Sequence, residues 1–128
     1  MDDRALLKLA EDAMERAYAP YSGYRVGACL LAKDGRAFIG FNVENASYSL
    51  SICAERGAMM HALIAGARDF EAVAVVAEKS PPWPCGACRQ MLNEFAPKIR
   101  VIVMQSGREP LALSLDKLLP HAFGPGSL

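Results

Sequence analysis

Three thiols and a carboxylate stand at two points of this chain in an arrangement suited to chemistry. Cys53, the first residue of Cys53-Ala54-Glu55, is separated by 31 residues (54–84) from Cys85-Gly86-Ala87-Cys88, with Pro84 just ahead of that motif. Three protein ligands leave the fourth position of a tetrahedral zinc open to water, the pattern of a catalytic site and not of a closed structural one. Sulfur ligands select zinc, which has no redox chemistry of its own. Glu55 stands two residues from Cys53, where a proton carrier for that water is needed. Three thiolates on a dication leave a bare site of charge −1, a weaker Lewis acid than a three-histidine site. Arg56, next in the chain, is placed to donate to one or two sulfurs and draw charge away from them.

A second polar group lies upstream. Asn42-Val43-Glu44-Asn45 follows an apolar run, at the kind of strand-to-loop junction where ligands are held. Asn42 and Glu44 are two apart, so on an extended backbone they face the same way. One donates and the other accepts, a pairing that suits the hydroxyls of a sugar.

These residues need elements to position them. Leu6, Leu9, Ala10, Ala13, Met14 and Ala17 recur at helical spacing, which predicts a first helix from about Asp3 to Ala19, stopped by Pro20. Arg25 to Ala32 and Arg36 to Asn42 read as strands joined by a tight turn at Asp34-Gly35. A polar loop covers Val43 to Ser51. Ser51 is the expected N-cap of a second helix ending near Gly66. Glu71 to Ala77 and Ile99 to Met104 read as buried strands. Between them, Ser80 to Pro84 is a proline-rich loop and Cys85 to Phe95 a third helix. Leu111 to Leu113 and Ser114 to Leu119 are a short strand and a short helix. Cys53, Cys85 and Cys88 then fall in the first turns of two helices. The unpaired N–H groups and partial positive charge there favour thiolate over thiol. A hairpin followed by strands alternating with helices implies an α/β fold, a mixed sheet covered on both faces.

The bulk properties narrow the setting. The 128 residues fit one domain, 1–128, with no repeat and no linker, and 52% are apolar, ample for a packed core. Fourteen basic residues balance fourteen acidic ones, so the positive footprint of a nucleic-acid binder is absent. The charged start, Met1-Asp2-Asp3-Arg4, is unlike a secretory signal, and no apolar run reaches membrane-spanning length. The expectation is a cytoplasmic protein with a small-molecule substrate, no nucleic-acid partner and no membrane partner.

The Cys-x-Glu and Pro-Cys-x-x-Cys pair resembles the known signature of zinc deaminases. More specifically, nearly the whole chain is similar to the cytidine deaminase family of the small homotetrameric type. Tyr21-Ser22-Gly23-Tyr24-Arg25-Val26-Gly27-Ala28 resembles its N-terminal motif and Asn42-Val43-Glu44-Asn45-Ala46-Ser47-Tyr48 its ribose loop. Cys53-Ala54-Glu55-Arg56 and Pro84-Cys85-Gly86-Ala87-Cys88-Arg89-Gln90 resemble the zinc motifs, and Leu118-Leu119-Pro120 with Phe123-Gly124-Pro125 the tail. The resemblance implies a three-layer α/β/α sandwich with a mixed five-stranded sheet and one zinc per subunit. It implies hydrolysis of cytidine and deoxycytidine to the uridines plus ammonia, by attack of zinc-activated hydroxide at C4 with Glu55 as proton shuttle. It makes Asn42 and Glu44 ribose contacts and puts Ala54 and Tyr24 at the substrate, Tyr24 near the pyrimidine. In a homotetramer, Ala46, Tyr48 and Phe123 are implied to reach an adjacent subunit's site. The family usually has Phe where this chain has Tyr24, whose hydroxyl needs a partner or water when buried.

Other readings account for less. A redox role for Cys85 and Cys88 leaves Cys53 and Glu55 without a task. A structural zinc module needs a fourth ligand, and the candidates are Cys29, His61 and His121. Cys29 lies mid-strand as a small core residue, and His61 sits two helical turns beyond Cys53. A deaminase of cytosine-bearing antibiotics, of the blasticidin-S kind, lacks the Asn-x-Glu-Asn loop and the arginine after Cys-Ala-Glu. Met59 and Met60 suit core or interface filling. Arg89 and Gln90 fit either an exposed helix face or anchors for the adjoining loop.

Overall fold

The computed structural model describes residues 1–128. Helix α1 spans Asp3–Met14, capped by the Asp2 carboxylate, which accepts from the Ala5 N–H at 2.8 Å. It ends well short of Ala19. The chain is drawn out of the helix because Tyr18 forms a bridge with Val43: the Tyr18 N–H donates to Asn42 O at 3.0 Å, and the Glu44 N–H donates to Tyr18 O at 2.8 Å. A long-range pairing thus stops α1 before Pro20 can act.

Strands β1 (Val26–Ala32) and β2 (Ala37–Phe41) form the expected hairpin, with Gly35 at φ 95° in its turn. Helix α2 (Ala54–Ile64) follows, then β3 (Phe70–Ala77), α3 (Gly86–Phe95), β4 (Arg100–Gln105), β5 (Leu111–Ser114) and the short α4 (Leu115–Leu118). The sheet order is β2-β1-β3-β4-β5. Only β3 and β4 run parallel, and α3 is the crossover that parallel neighbours require. The mixed five-stranded sheet is therefore as anticipated.

Alternation along the strands sorts the core into two clusters. Ala28, Leu30, Val73, Val75, Val101 and Val103 pack with Ala58 and Met59 of α2 and Leu92 of α3. Cys29, Leu31, Ala74, Val76 and Ile102 face the other way, against Leu6, Ala10 and Met14 of α1. The result is three layers, with α1 on one face and α2 and α3 on the other. No helix is long and apolar enough to cross a membrane.

Two glycines let these helices lie close. A Cβ on Gly27 would sit 2.0 Å from Ala10 O, and one on Gly40 would sit 2.3 Å from Ala58 N and 2.4 Å from Ala54 O. Helix α1 thus rests on the backbone of β1, and the first turns of α2 rest on the backbone of β2.

Helix α2 does not begin at Ser51. Val43 and Ile52 pair in an antiparallel bridge, donating to each other's carbonyls at 3.0 and 2.9 Å. Ile52 is therefore extended, and the N-cap moves to Cys53 (φ −73°, ψ 153°). Ser51 Oγ accepts instead from the Asn45 N–H at 3.1 Å. The loop expected over Val43 to Ser51 also contains a 3₁₀ turn at Tyr48–Leu50.

Candidate metal centre and active site

Cys53 caps α2 and Cys85 caps α3, and neither sulfur is used in a capping bond to the helix backbone, so both can serve another partner. Cys88 lies in the first turn of α3 and is fully buried. The three Sγ atoms all lie within 4.8 Å of one another, and Cys53 and Cys85 are 3.9 Å apart. A tetrahedral zinc with bonds of ~2.3 Å separates its sulfur ligands by about 3.8 Å. A disulfide would need ~2 Å, and all four cysteines are free.

Charge in the cluster is arranged for a cation. The Cys53 thiol is pulled down to about 5, first by a hydrogen bond from Cys88 and further by Arg56, while Cys88 is pushed up by the same bond to Cys53 and by burial. A dication bound there would hold all three sulfurs as thiolates. Arg56 Nη2 donates to Cys53 Sγ at 3.6 Å and to Ser51 O at 3.4 Å. Its Nε is buried with no partner. A guanidinium turned toward sulfurs, with a donor to spare, fits the charge-withdrawing role expected of Arg56 and fits a site that gathers negative charge. The donor set, its spacing and this arginine all suit zinc.

No fourth His, Cys, Asp or Glu joins the three sulfurs. Cys29 is on the α1 side of the sheet. His61 Nδ1 pairs with Ile39 O at 3.1 Å, and its ring stands edge-on to Phe38. Against the sulfurs lies a cavity of about 540 Å³, lined by Cys53, Cys85, Ala54 and Glu55. Glu55 is only 5% exposed. Burial pushes its carboxyl up to about 7, with the Cys53 charge adding to the rise. A carboxyl poised near neutrality beside a pocket is suited to accept and return protons.

Asn42, Glu44, Tyr24 and Tyr48 also line this cavity. Asn42 and Glu44 are not free side chains, however. Asn42 Oδ1 accepts from the Val26 N–H at 2.9 Å, and its Nδ2 donates to Tyr24 O at 2.8 Å. Glu44 accepts from the Tyr21 and Ser22 N–H groups at 2.9 and 3.1 Å and from the Ser22 hydroxyl. That hydroxyl is the leading cause of its lowered pKa. Each keeps capacity: one N–H and one lone pair on Asn42, and a lone pair on Glu44. Tyr24 finds the partner its hydroxyl needs, Ser80 Oγ at 3.0 Å.

Ala46 and Phe123 lie outside the cavity, and Tyr48 stands on the rim of its own chain's pocket, edge-on to Tyr21. The sequence reading overlooked Ser22, Ile52, Pro82 and Trp83, which also form the walls. Pro82 and Trp83 had a signal, being the residues that lead into the Cys85 cap. Ser22 had none until its bond to Glu44 was visible.

Residues 1–105 match the family model described as the cytidine and deoxycytidylate deaminase zinc-binding region. The chain is 48% identical over 127 residues to a cytidine deaminase of Halalkalibacterium halodurans, covering 96% of this chain and 95% of that one. It is 42% identical over 130 residues to a cytidine deaminase of Sporosarcina psychrophila, covering 100% and 96%. The crystal structure of cytidine deaminase from Burkholderia pseudomallei superposes with a TM-score of 0.92 at 48% identity, over 96% of this chain and 100% of that one. A sulfur triad, a buried glutamate beside it and this likeness over nearly the full length agree: the chain belongs to the cytidine deaminase family.

Proposed function

We propose that this chain hydrolyses cytidine and deoxycytidine to uridine and deoxyuridine with release of ammonia, with zinc held by Cys53, Cys85 and Cys88. The observation that carries this reading is a three-sulfur cluster, with no fourth protein ligand, opening beside buried Glu55 onto a nucleoside-sized cavity. Zinc bound there supplies a Lewis acid that makes water a nucleophile at neutral pH. Glu55 takes a proton from the attacking water and delivers one to the ring nitrogen N3 as the new C4–O bond forms. It then takes the proton of the new C4 hydroxyl and passes it to the exocyclic amine, so that the C4 carbonyl forms as the C4–N bond breaks and ammonia leaves. Arg56 holds Cys53 and offsets the excess negative charge. Asn42 and Glu44 direct their remaining donor and acceptors at the sugar, and Tyr24, Tyr48 and Ala54 shape the wall around the base.

No lysine, arginine or histidine lines the cavity. That supports a nucleoside over a nucleotide substrate, since a phosphate would meet no cation and would face Glu44. The test is cytidine turnover followed by ultraviolet absorbance together with zinc content. Glu55→Gln should lower kcat by roughly 10²–10⁴-fold with one zinc per chain retained. Full activity in that variant, or a native protein that carries no zinc, would sink the reading.

We further propose a homotetramer. Met60 and Ile64, exposed at 60% and 78%, carry α2's apolar character to the surface, and Tyr48, Leu50 and Phe123 are likewise exposed. Exposed apolar side chains of this size suit burial against a second copy. Ala46 and Phe123, which miss their own cavity, would then be free to meet a neighbour's. Sedimentation equilibrium of the native protein should give four chains, and a monomer at micromolar concentration would refute it. Four unbridged thiols suit a reducing compartment, and we place the protein in the cytoplasm, which cell fractionation checks.

A further inference from the structure

The three sulfurs are not held equally. Cys88 is fully buried inside α3, and Cys53 is half-buried with Arg56 against its sulfur. Cys85 is exposed, it precedes the first helical residue, and its side chain makes no capping bond to α3. Its placement depends on the peptide before it. Pro84 is fully buried, and its carbonyl accepts from Arg89 Nε at 2.7 Å. The same guanidinium reaches in the other direction, with Nη1 donating to Leu118 O at 2.8 Å. Leu118 is the last residue of α4.

Arg89 sits one helical turn after Cys85, and its backbone N–H donates to Cys85 O at 2.9 Å. One residue therefore fixes both sides of Cys85 and ties them to the end of α4. No carboxylate pairs with Arg89: both side-chain bonds go to main-chain carbonyls. A rigid fork of donors that reaches two carbonyls at once suits positioning, which a flexible ammonium would serve less well. The adjoining side chains continue the strap. Gln90 Nε2 and Asn93 Nδ2 both donate to Phe123 O, at 2.7 and 3.1 Å, seating the tail on α3.

We propose that Arg89 is a positioning residue for the metal ligand Cys85, acting through the Pro84 carbonyl. The inference rests on the zinc reading above. It resolves the open choice between exposed face and anchor in favour of an anchor, and gives the anchor a task. Outer-shell partners of this kind typically change metal affinity by about 10–100-fold.

The experiment uses the full-length, zinc-loaded protein and two variants, Arg89→Gln and Arg89→Lys. Zinc affinity is measured by competition with a chromogenic chelator, and melting temperature is recorded loaded and stripped. Arg89→Gln should weaken zinc binding about 10–100-fold and shrink the gap between the loaded and stripped melting temperatures. Arg89→Lys, able to serve one carbonyl at a time, should fall between it and the native protein, and it carries the test if the glutamine variant does not fold. An arginine that only stabilises the fold would lower both melting temperatures equally and leave zinc affinity unchanged; that result overturns the proposal. A native protein with no zinc-dependent gap would overturn the zinc reading itself, and this inference with it.

Discussion

Gly40 offers a way to displace α2 without touching the side chains proposed for catalysis. A Cβ added there would lie 2.3 Å from Ala58 N and 2.4 Å from Ala54 O, against an ordinary contact of at least 3.4 Å. Both atoms are backbone, so no side chain can swing aside. In Gly40→Ala, therefore, α2 must move away from β2 by about 1 Å. Cys53 and Glu55 are the cap and an early residue of that helix, and they move with it. Misplacing reacting groups by ~1 Å costs on the order of 10²-fold in rate, and overpacking costs about 1–3 kcal/mol of stability. For a chain of this length that is a fall in melting temperature of about 4–10 °C. Gly27→Ala supplies the matched control. Its Cβ would press on Ala10 O at 2.0 Å, but the helix displaced is α1, on the opposite face. The assay is cytidine turnover well below both melting points, with zinc content and thermal melts on the same samples. Gly40→Ala should lose about a hundredfold in kcat or part with its zinc, while Gly27→Ala should lose stability and keep kcat within about threefold. Equal kcat losses in the two variants would show that close packing of α2 on β2 does not set the site, and would refute the reasoning.

Two further outcomes follow from the pocket wall. Asn42→Ala removes one acceptor and one donor that join Tyr24 and Val26, so it should lower stability by about 1–2 kcal/mol as well as raise KM for cytidine; a change in KM with an unaltered melt would mean that the two backbone bonds are dispensable. Cytidine 5′-monophosphate should be turned over with kcat/KM at least about a hundredfold below cytidine, the loss expected where a dianion meets no cation and a nearby carboxylate, and comparable values for the two substrates would exclude the nucleoside-selective reading.

The metal site was readable before any fold was known because its signal is chemical and local. Three thiols at this spacing with a carboxylate between them have few other uses, and the structure gathers the sulfurs within 4.8 Å. The hairpin was equally local, written in Asp34-Gly35. What escaped the sequence is non-local. The end of α1 depends on Tyr18 meeting Val43, and the cap of α2 on Val43 meeting Ile52. Periodicity carries neither fact, since it describes a segment and not its partner. The same limit applies to Glu44, which reads as a free carboxylate yet is held by Ser22, and to Arg89, whose targets are two distant or buried carbonyls.

These non-local bonds converge on one end of the sheet, and that explains how two separate motifs come to share a cavity. Strand β1 enters there at Val26 and β3 leaves there at Ala77, because the two are antiparallel with Val26 opposite Ala77. Strand β2 leaves at the same end, with Phe41 opposite Gly27. The segments just beyond, Tyr24, Asn42 and the loop from Glu78 to Pro84, are therefore neighbours by topology. The Tyr24–Ser80 and Arg25–Glu78 bonds cross between them, and Asn42 joins Tyr24 to Val26. The loop after β3 leads into the Cys85 cap, and the loop after β2 leads through the Val43–Ile52 bridge into the Cys53 cap. Asn42 and Glu44, proposed for the sugar, and the sulfurs of Cys53 and Cys85 thus sit around one cavity as a result of strand direction. A change that disturbs that rim at Asn42, or the seat of α2 on β2 at Gly40, should therefore reach the chemistry even though neither residue belongs to the sulfur cluster.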